Sequence, residues 1–230
     1  MSRKGMALVL DKNRRDVKRC GTAAREEDSV EVHDMPCRPD DNIPITMEPE
    51  VIEEIKGMAK DLGFDEARVL RTAEIVTARW VGLKCRYGCA NYNTSWCCPP
   101  ASPNLDATRE LLSEYSLALL LLGRSNNKHF YRNSTEKRRR QIRQWKATIA
   151  LERKLFLMGY YKAFGLPSDT CALCKKCSYP ERCKFPNEKR PSVEACSIDV
   201  FQTVRRLGRL VELAGSVKDS YNSYSMILLV

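Results

Sequence analysis

The spacing of apolar residues predicts four helices and three strands between residues 49 and 230. The helices are expected at residues 49–62, 103–115, 135–164 and 197–207, and the strands at 67–70, 117–122 and 226–230. Trp80, Val81 and Leu83 are compatible with another short strand that leads into a cysteine-rich loop. Helices that alternate with short apolar strands indicate an α/β or α+β fold, in which a small mixed sheet is flanked by helices and carries two cysteine-rich loops.

Single residues predict where several of these elements begin and end. Asn104 is placed to cap the second helix, and Gly123 is expected to stop the strand at 117–122. Gly165 and Pro167 are expected to end the longest helix. The residues predicted to face inward on the two later helices are Ile142, Trp145, Ile149, Phe156, Tyr160, Ile198, Phe201 and Val204.

Residues 1–45 differ from the rest of the chain. They mix nine basic with nine acidic residues, contain three prolines and show no apolar periodicity. A segment of this kind cannot bury enough apolar surface to fold, so we expect a disordered N-terminal extension followed by one cysteine-rich domain over residues 46–230. Cys20 and Cys37 are expected to be spare thiols in this extension, and His33 to be solvated.

No segment of the sequence is both long and apolar enough to cross a bilayer. The longest apolar run, 117–122, is far shorter than the roughly 20 residues that a transmembrane helix needs. The apolar patch at residues 6–10 is shorter than the core of a signal peptide. We therefore expect a cytoplasmic protein that has no membrane partner.

The eleven cysteines indicate metal or cluster ligands rather than disulfides. An odd count leaves one thiol unpaired, and the cysteines are tightly grouped along the chain. A reducing compartment keeps such thiols available as ligands.

Three cysteines follow one another at every third position, namely Cys171, Cys174 and Cys177. Bacterial ferredoxins use the same spacing to hold three corners of an iron–sulfur cubane, and a more distant cysteine near a proline completes the ligand set. Cys183, shortly before Pro186, is the candidate fourth ligand. The spacing therefore predicts a 4Fe–4S cluster at these four cysteines.

A second group of cysteines, Cys85, Cys89, Cys97 and Cys98, precedes this motif in the chain. Glycine and asparagine residues between them allow tight turns that direct backbone amides at a cluster, and Trp96 can shield the cluster from water. Cys196 lies just before the last predicted helix, where the positive end of the helix dipole lowers the pKa of a thiol. The alternative interpretation is a structural loop with buried free thiols.

Zinc is the main rival to iron and sulfide as the bound group. Structural zinc sites often use four thiolates, and they usually draw them from two separate C-x2-C pairs. Three ligands within seven residues suit a larger cubane better than a single ion. The two histidines, His33 and His129, are not expected to be ligands.

Three strings of residues resemble a family of predicted metal-binding proteins from anaerobic bacteria and archaea, a domain of unknown function. They are C-x3-C-x2-Y-x3-W-x-C-P-P at 85–100, C-x-L-C-x2-C at 171–177 and R-P-S-V-E-A-C-S-I-D-V at 190–200. The resemblance covers residues 47–230. It implies ligands at Cys85, Cys89, Cys98, Cys171, Cys174, Cys177 and Cys183, with Cys196 as a further candidate. Cys97 adds a thiol beside the implied one, so the choice of ligand stays open.

Eight thiols are enough for two clusters. If one cluster takes Cys171, Cys174, Cys177 and Cys183, the other has three thiols and needs a fourth ligand from Cys196, Cys97 or an exogenous group. Cys183 and Cys196 can also exchange clusters, as distant cysteines do in two-cluster ferredoxins. A site with only three thiolates would leave one iron open to a substrate.

The formal net charge is +10, and all of this excess lies beyond residue 45. Residues 124–154 hold eleven Lys and Arg against two Glu. Four of these basic residues recur at helical spacing and predict a positive stripe, at Arg139, Arg143, Lys146 and Lys154. Such a stripe suits nucleic acid, an acidic redox partner or a phosphorylated cofactor, although a solvated helix face is the commonest explanation.

These patterns favour an iron–sulfur protein that transfers electrons or serves as a redox accessory to a partner enzyme. One alternative is a zinc or iron–sulfur module that binds nucleic acid through the Arg139 face. Another is a cluster-dependent enzyme with an open iron at Cys85, Cys89 and Cys98. The sequence contains no glycine-rich phosphate loop and no G-x-S-x-G or H-E-x-x-H motif, which argues against conventional catalysis.

Overall fold

The computed structural model describes residues 47–125, 135–208 and 220–230. In these ranges the helices are α1 Pro49–Asp61, α2 Arg79–Gly88, α3 Leu105–Ser113, α4 Thr135–Leu157 and α5 Val200–Arg206. The strands are β1 Glu66–Arg71, β2 Leu117–Ser125, β3 Phe164–Leu166 and β4 Tyr221–Leu228. The predicted extension at 1–45, with Cys20, Cys37 and His33, lies outside the described residues, and so does His129.

The four described strands form one sheet in the order β1-β2-β4-β3. Each of the three pairings is antiparallel, with Leu120 opposite Arg68 on one side and Met226 on the other. The predicted small sheet flanked by helices is confirmed, and the pairings correct its strand directions from mixed to antiparallel. Of the two predicted fold classes, this topology corresponds to α+β.

Both faces of the sheet are buried, which explains why β2 is a continuous apolar run. One face packs on α1 and α4, where Leu119, Leu121 and Ile227 meet Ile55 and Leu151. The other face packs on α3, α5 and the segment around residues 193–198. The sheet is therefore the middle layer, and the chain segments that carry cysteines lie around it.

Helix α4 turns a row of polar side chains inward at four-residue spacing, and the row consists of Arg140, Gln144, Thr148 and Glu152. Gln144 donates a hydrogen bond to Ser223 on β4. Residues four apart lie on the same face of a helix, so this row forms one polar ridge against the edge of the sheet. The ridge ties α4 to the strands through specific bonds as well as through apolar contact.

The strongest of these bonds is an ion pair between Glu152 and Arg190. Two guanidinium nitrogens of Arg190 lie 3.0 and 2.6 Å from the two carboxylate oxygens of Glu152. The same carboxylate accepts the backbone N–H of Gly165 at 2.7 Å. A Cβ atom at Gly165 would lie 2.9 Å from the carboxylate oxygen, so glycine is required for this close approach. One side chain therefore connects α4, β3 and the segment that begins at Arg190.

Several predicted boundaries are confirmed. Helix α1 begins at Pro49 and is followed by Gly63 in the left-handed region, with a φ of 90°. Asn104 caps α3, because its side-chain oxygen accepts the N–H of Ala107 at 2.9 Å. The predicted strands at 67–70, 117–122 and 226–230 all fall within or beside β1, β2 and β4.

The strand considered for residues 80–83 is wrong, because this segment is the first part of α2. Val81 is buried and Cys85 is half-buried one turn later, so the two share an inward helical face. Gly82 permits close contact, since a Cβ atom there would lie 3.4 Å from the hydroxyl oxygen of Ser197. The alternation of apolar and polar residues at 80–83 is too short to distinguish a strand from a helix.

The predicted end of the longest helix is also wrong. Helix α4 stops at Leu157, and Gly159 adopts a φ of 106°, which is the left-handed conformation that ends helices. Gly165 lies in β3 instead.

Other predictions about these elements are also wrong. Phe156 and Phe201, predicted to face inward, are 56% and 40% exposed. The last helix is shorter than predicted. Strand β2 continues through Gly123 to Ser125.

In the part of the chain that the structure describes, no helix has the length and apolar character needed to span a membrane.

Replacing Glu152 with Ala should lower the free energy of unfolding by about 3–5 kcal/mol, because it leaves a buried guanidinium and a buried N–H without their acceptor. Denaturant unfolding followed by circular dichroism measures this change. The matched control is Glu53→Ala, which removes the exposed Lys56–Glu53 pair and should cost less than about 0.5 kcal/mol. Equal losses in the two variants would contradict the assigned role of Glu152.

Candidate metal centre

Three cysteines meet at the end of α2, and we call Cys85, Cys89 and Cys98 the Cys85 site. Cys85 lies in the last turns of α2, and Cys89 is the first residue after it. The loop that follows turns back at Asn93, which has a φ of 54° and donates its N–H to the carbonyl of Pro99 at 2.8 Å. The three thiols line a cavity of about 360 Å³.

Burial raises the pKa of Cys85, and the charges of Cys89 and Glu194 add to this effect. Burial likewise raises the pKa of Cys98 to about 12, and a hydrogen bond from Ser95 opposes the rise only in part. These thiols would repel one another as thiolates. A cation or a cluster core is therefore needed to hold them in the deprotonated form in which cysteine binds metals.

The second group, Cys171, Cys174, Cys177 and Cys183, is called the Cys171 site. It lies in the irregular segment between β3 and α5. The first three of these cysteines line a cavity of about 650 Å³ together with residues 91–95 of the other cysteine-rich segment. Burial raises the pKa of Cys174, and nearby Cys171, Cys177 and Cys183 raise it further. The structure thus brings all four predicted ligands of this group into one neighbourhood.

Backbone amides point at two of these sulfur atoms. The N–H of Phe185 lies 3.4 Å from the sulfur of Cys183, and the N–H of Leu173 bonds to the sulfur of Cys171. In both cases the donor is two residues after the cysteine. Hydrogen bonds of this kind stabilise a thiolate and tune the reduction potential of a cluster that the thiolate binds.

Cys97 belongs to the neighbourhood of Cys171, although it is adjacent to Cys98 in the chain. It is buried against Trp145 and Ile149 of α4, and Cys171 packs on the same apolar cluster. The Cys97 thiol donates to Cys171, which lowers the pKa of Cys171 to about 7 and raises that of Cys97. Consecutive cysteines therefore face different sites, with Cys98 at the Cys85 site.

Cys196 lies in the apolar core beside the sheet and is fully buried. Thr108 is a polar neighbour of this thiol, and Cys196 is not among the residues that line the cavity of the Cys85 site. Burial raises its pKa to about 12, so the lowering expected from a helix dipole is wrong. The N-terminus of α5 is instead capped by Asp199, which accepts the N–H of Gln202 at 2.9 Å.

Trp96 joins the two cysteine-rich segments. Its ring N–H donates to the carbonyl of Glu181 at 2.7 Å, and its ring packs edge-on against Tyr179 at 5.0 Å. The hydroxyl of Tyr179 in turn donates to the side chain of Asn93 at 3.3 Å. Charges at Cys98 and Cys171 also influence each other. The two sites are therefore close neighbours rather than separate modules.

Part of the basic run at the start of α4 turns toward the cysteines. Arg138 donates to the carbonyl of Leu173 at 3.1 Å, and Lys137 lines the cavity of the Cys85 site. Arg140 is buried, 3.8 Å from Asp169 and 4.8 Å from the ring of Tyr221. Sequence reasoning missed this inward direction, although Arg140 is in helical register with Thr148 and Glu152.

An acidic group also borders the Cys85 site and was not predicted. Glu194 lines this cavity and a second cavity of about 330 Å³ that Cys85 and Cys89 share. Burial and the charge of Asp169 raise the pKa of Glu194 to about 7. Asp169, held at a φ of 62°, accepts the hydroxyl of Tyr221 at 3.1 Å. The sequence signal available for these two residues was their spacing, because Asp169 precedes Cys171 by two positions and Glu194 precedes Cys196 by two positions.

The nine cysteines of the described residues are free thiols. None of the nine described cysteines forms a disulfide. Within residues 47–125, 135–208 and 220–230, no three His, Cys, Asp or Glu side chains form a group that could hold a metal ion. Six of the thiols line the walls of two cavities, and thiolates are soft donors that suit zinc as well as iron–sulfur clusters.

A family model described as "Predicted metal-binding protein (DUF2284)" matches residues 68–229 of the chain. This range includes both sites and all nine described cysteines. Comparison with curated proteins and with solved structures finds no match.

Replacing Cys97 with Ala should raise the pKa of Cys171 in metal-free protein that keeps its fold, because it removes the donor to the Cys171 thiolate. Alkylation of Cys171 by iodoacetamide, measured by peptide mass spectrometry, should slow several-fold at about pH 7, where a thiol of pKa about 7 is half thiolate. At about pH 10 the difference should narrow, because a larger fraction of the variant's Cys171 thiol is then ionised. Equal rates at the lower pH would contradict the bond.

Proposed function

The chain belongs to the family of predicted metal-binding proteins, and we propose that it is a cytoplasmic iron–sulfur protein that transfers electrons or serves a partner enzyme as a redox accessory. The observation that carries this proposal is the arrangement of six thiols along two adjoining cavities, with Cys183 nearby and amide N–H groups directed at sulfur. A 4Fe–4S cluster supplies one-electron transfer when bound. The cytoplasmic location follows from the need for reduced thiols.

The Cys171 site is the better candidate for a closed, electron-carrying cluster. It has four thiols, Cys171, Cys174, Cys177 and Cys183, in the ferredoxin-like spacing. Cys97 is a fifth thiol in contact with this set and is a reserve ligand for it. Trp96 and Trp145 flank the segment and limit the access of water.

The surrounding charge supports an anionic centre at these sites. A 4Fe–4S core held by four thiolates carries a net charge of about −2. Lys137 and Arg138 lie against the two sites, and Arg140 stands behind Asp169. Basic side chains turned inward at the cysteines offset such a charge, whereas four thiolates without them would repel one another.

The Cys85 site supports a second candidate function, a cluster-dependent enzyme. Three thiols line its cavity, and the core position of Cys196 against Thr108 favours an exogenous fourth ligand. Glu194 and the adjoining cavity of about 330 Å³ offer space for a small substrate beside an open iron. A change in the visible spectrum on addition of substrate analogues would distinguish this function from simple electron transfer.

Nucleic-acid binding is the remaining alternative, and one observation favours it. Arg139, Arg143 and Lys146 are exposed on a single face of α4, so these three residues of the predicted positive stripe lie together at the surface. A thiolate-zinc or iron–sulfur module with such a face could hold a phosphate backbone.

Anaerobically purified protein should contain about eight iron and eight acid-labile sulfide per chain, as two 4Fe–4S clusters require. Cys174→Ala should lower both to about half, because one cluster loses a ligand. The matched control is Ser178→Ala in the same segment, whose hydroxyl bonds only to a backbone carbonyl, and which should keep the full content. Zinc without sulfide would overturn the proposal.

Retention of the protein on immobilised single-stranded DNA tests the nucleic-acid alternative. That alternative predicts binding at low salt that falls steeply as salt rises, and its loss in the double variant Arg139→Glu and Arg143→Glu. The electron-transfer proposal predicts no retention that depends on this face. Salt-sensitive binding that the double variant abolishes would favour the nucleic-acid function.

A further inference from the structure

Helix α2 exposes large apolar side chains on the same short helix that carries Cys85. Trp80, Leu83 and Tyr87 are 44%, 54% and 77% exposed. They lie three and four residues apart, so they form one stripe on one face of the helix. Val81, in contrast, is buried on the inward face. A contiguous apolar surface of this kind usually marks an interaction site.

The rim of this stripe is positively charged. Arg79, Lys84 and Arg86 are exposed on α2, and the sequence contains no acidic residue between Glu74 and Asp106. The ammonium of Lys84 lies 5.0 Å from the Trp80 ring, and the guanidinium of Arg86 lies 5.5 Å from the Tyr87 ring. An apolar centre with a charged rim is the usual anatomy of a protein interface, and this rim complements acidic groups.

A cavity opens beside the stripe and leads toward the Cys85 site. It has a volume of about 330 Å³, and its walls include Trp80, Lys84 and Phe201 together with Cys85 and Cys89. Phe201 is 40% exposed at the start of α5. The cavity is large enough to receive one apolar side chain from a partner, and anchors of this kind contribute most of the affinity in protein interfaces.

We propose that the α2 face docks a small acidic electron-carrier protein, which seats an apolar side chain in this cavity. The inference rests on the proposed function, because it assigns the partner of the cluster at the Cys85 site. A cluster held by Cys85, Cys89 and Cys98 would supply one-electron chemistry at this face. It would accept one electron from the reduced carrier, which would thereby be oxidised, and no covalent bond would form or break.

Other occupants fit this face less well. A bilayer surface does not fill a concave site between two helices, and a nucleic acid finds a longer basic face on α4 at Arg139, Arg143 and Lys146. A protein partner meets the apolar stripe, the basic rim and the cavity together. It also approaches the candidate ligands Cys85 and Cys89 on the same side of the molecule.

The test is calorimetric titration of the anaerobically purified full chain with a plant-type 2Fe–2S ferredoxin, an acidic carrier. Binding should occur at low salt and weaken at least tenfold on raising salt to about 0.15 M. The double variant Leu83→Asp and Tyr87→Asp should weaken binding at least tenfold while keeping its iron and sulfide. The control Leu157→Asp, at a residue 83% exposed on α4, should bind like the wild type.

Absence of ferredoxin binding, or equal affinity in the α2 variant and the wild type, would overturn the docking site. So would α2-dependent binding of phosphatidylglycerol vesicles or single-stranded DNA without α2-dependent binding of ferredoxin. The iron and sulfide content separates this inference from the proposed function. If the protein contains iron and sulfide but its ferredoxin affinity does not depend on α2, the docking site alone is refuted. If the protein contains no iron but still binds ferredoxin through α2, the proposed function alone is refuted.

Discussion

The arrangement of the cysteine-rich segments depends on the ion pair and hydrogen bonds that the Glu152 carboxylate makes. The carboxylate accepts two bonds from Arg190 and one from the N–H of Gly165, so it joins helix α4, the edge strand and the segment that contains Glu194. The carboxylate is buried and the Arg190 side chain is 17% exposed, and a buried charge without its partner is costly. The pair therefore fixes the position of the last cysteine-rich segment on helix α4. It also fixes the contact between the two cysteine-rich segments, because the N–H of Ser192 donates to the carbonyl of Cys97.

The same helix also controls the electrostatics of the cysteines. Its first turns direct Lys137 and Arg138 at the two sites, and its middle supplies Trp145, against which Cys97 packs. Burial is the main reason why the pKa values of Cys85 and Cys98 are raised, and the charges of neighbouring cysteines add to it. A bound metal ion or cluster core would hold these thiols as thiolates, and the inward basic residues would offset the negative charge that remains.

The sequence predicted those features that depend on local spacing. The cap at Asn104 and the apolar run of β2 follow from residues close together in the chain, and so does the proximity of Cys174 to Cys171, Cys177 and Cys183. Features set by tertiary contact were missed. Glu152 and Arg190 are 38 residues apart, and the side on which Cys97 emerges depends on its packing against α4. The burial of Arg140 could not be predicted from the basic run at 137–140, because charged side chains usually lie at the surface, and the polar ridge of α4 explains it.

Native mass spectrometry of the intact chain, purified without oxygen, separates a cluster-bound protein from a zinc-bound or metal-free one. The expected mass exceeds that of the metal-free protein by whole 4Fe–4S units, with two units at full occupancy, and the excess is lost when acid removes iron and sulfide together. An excess equal to zinc ions, or a mass equal to that of the polypeptide alone, would contradict the iron–sulfur proposal.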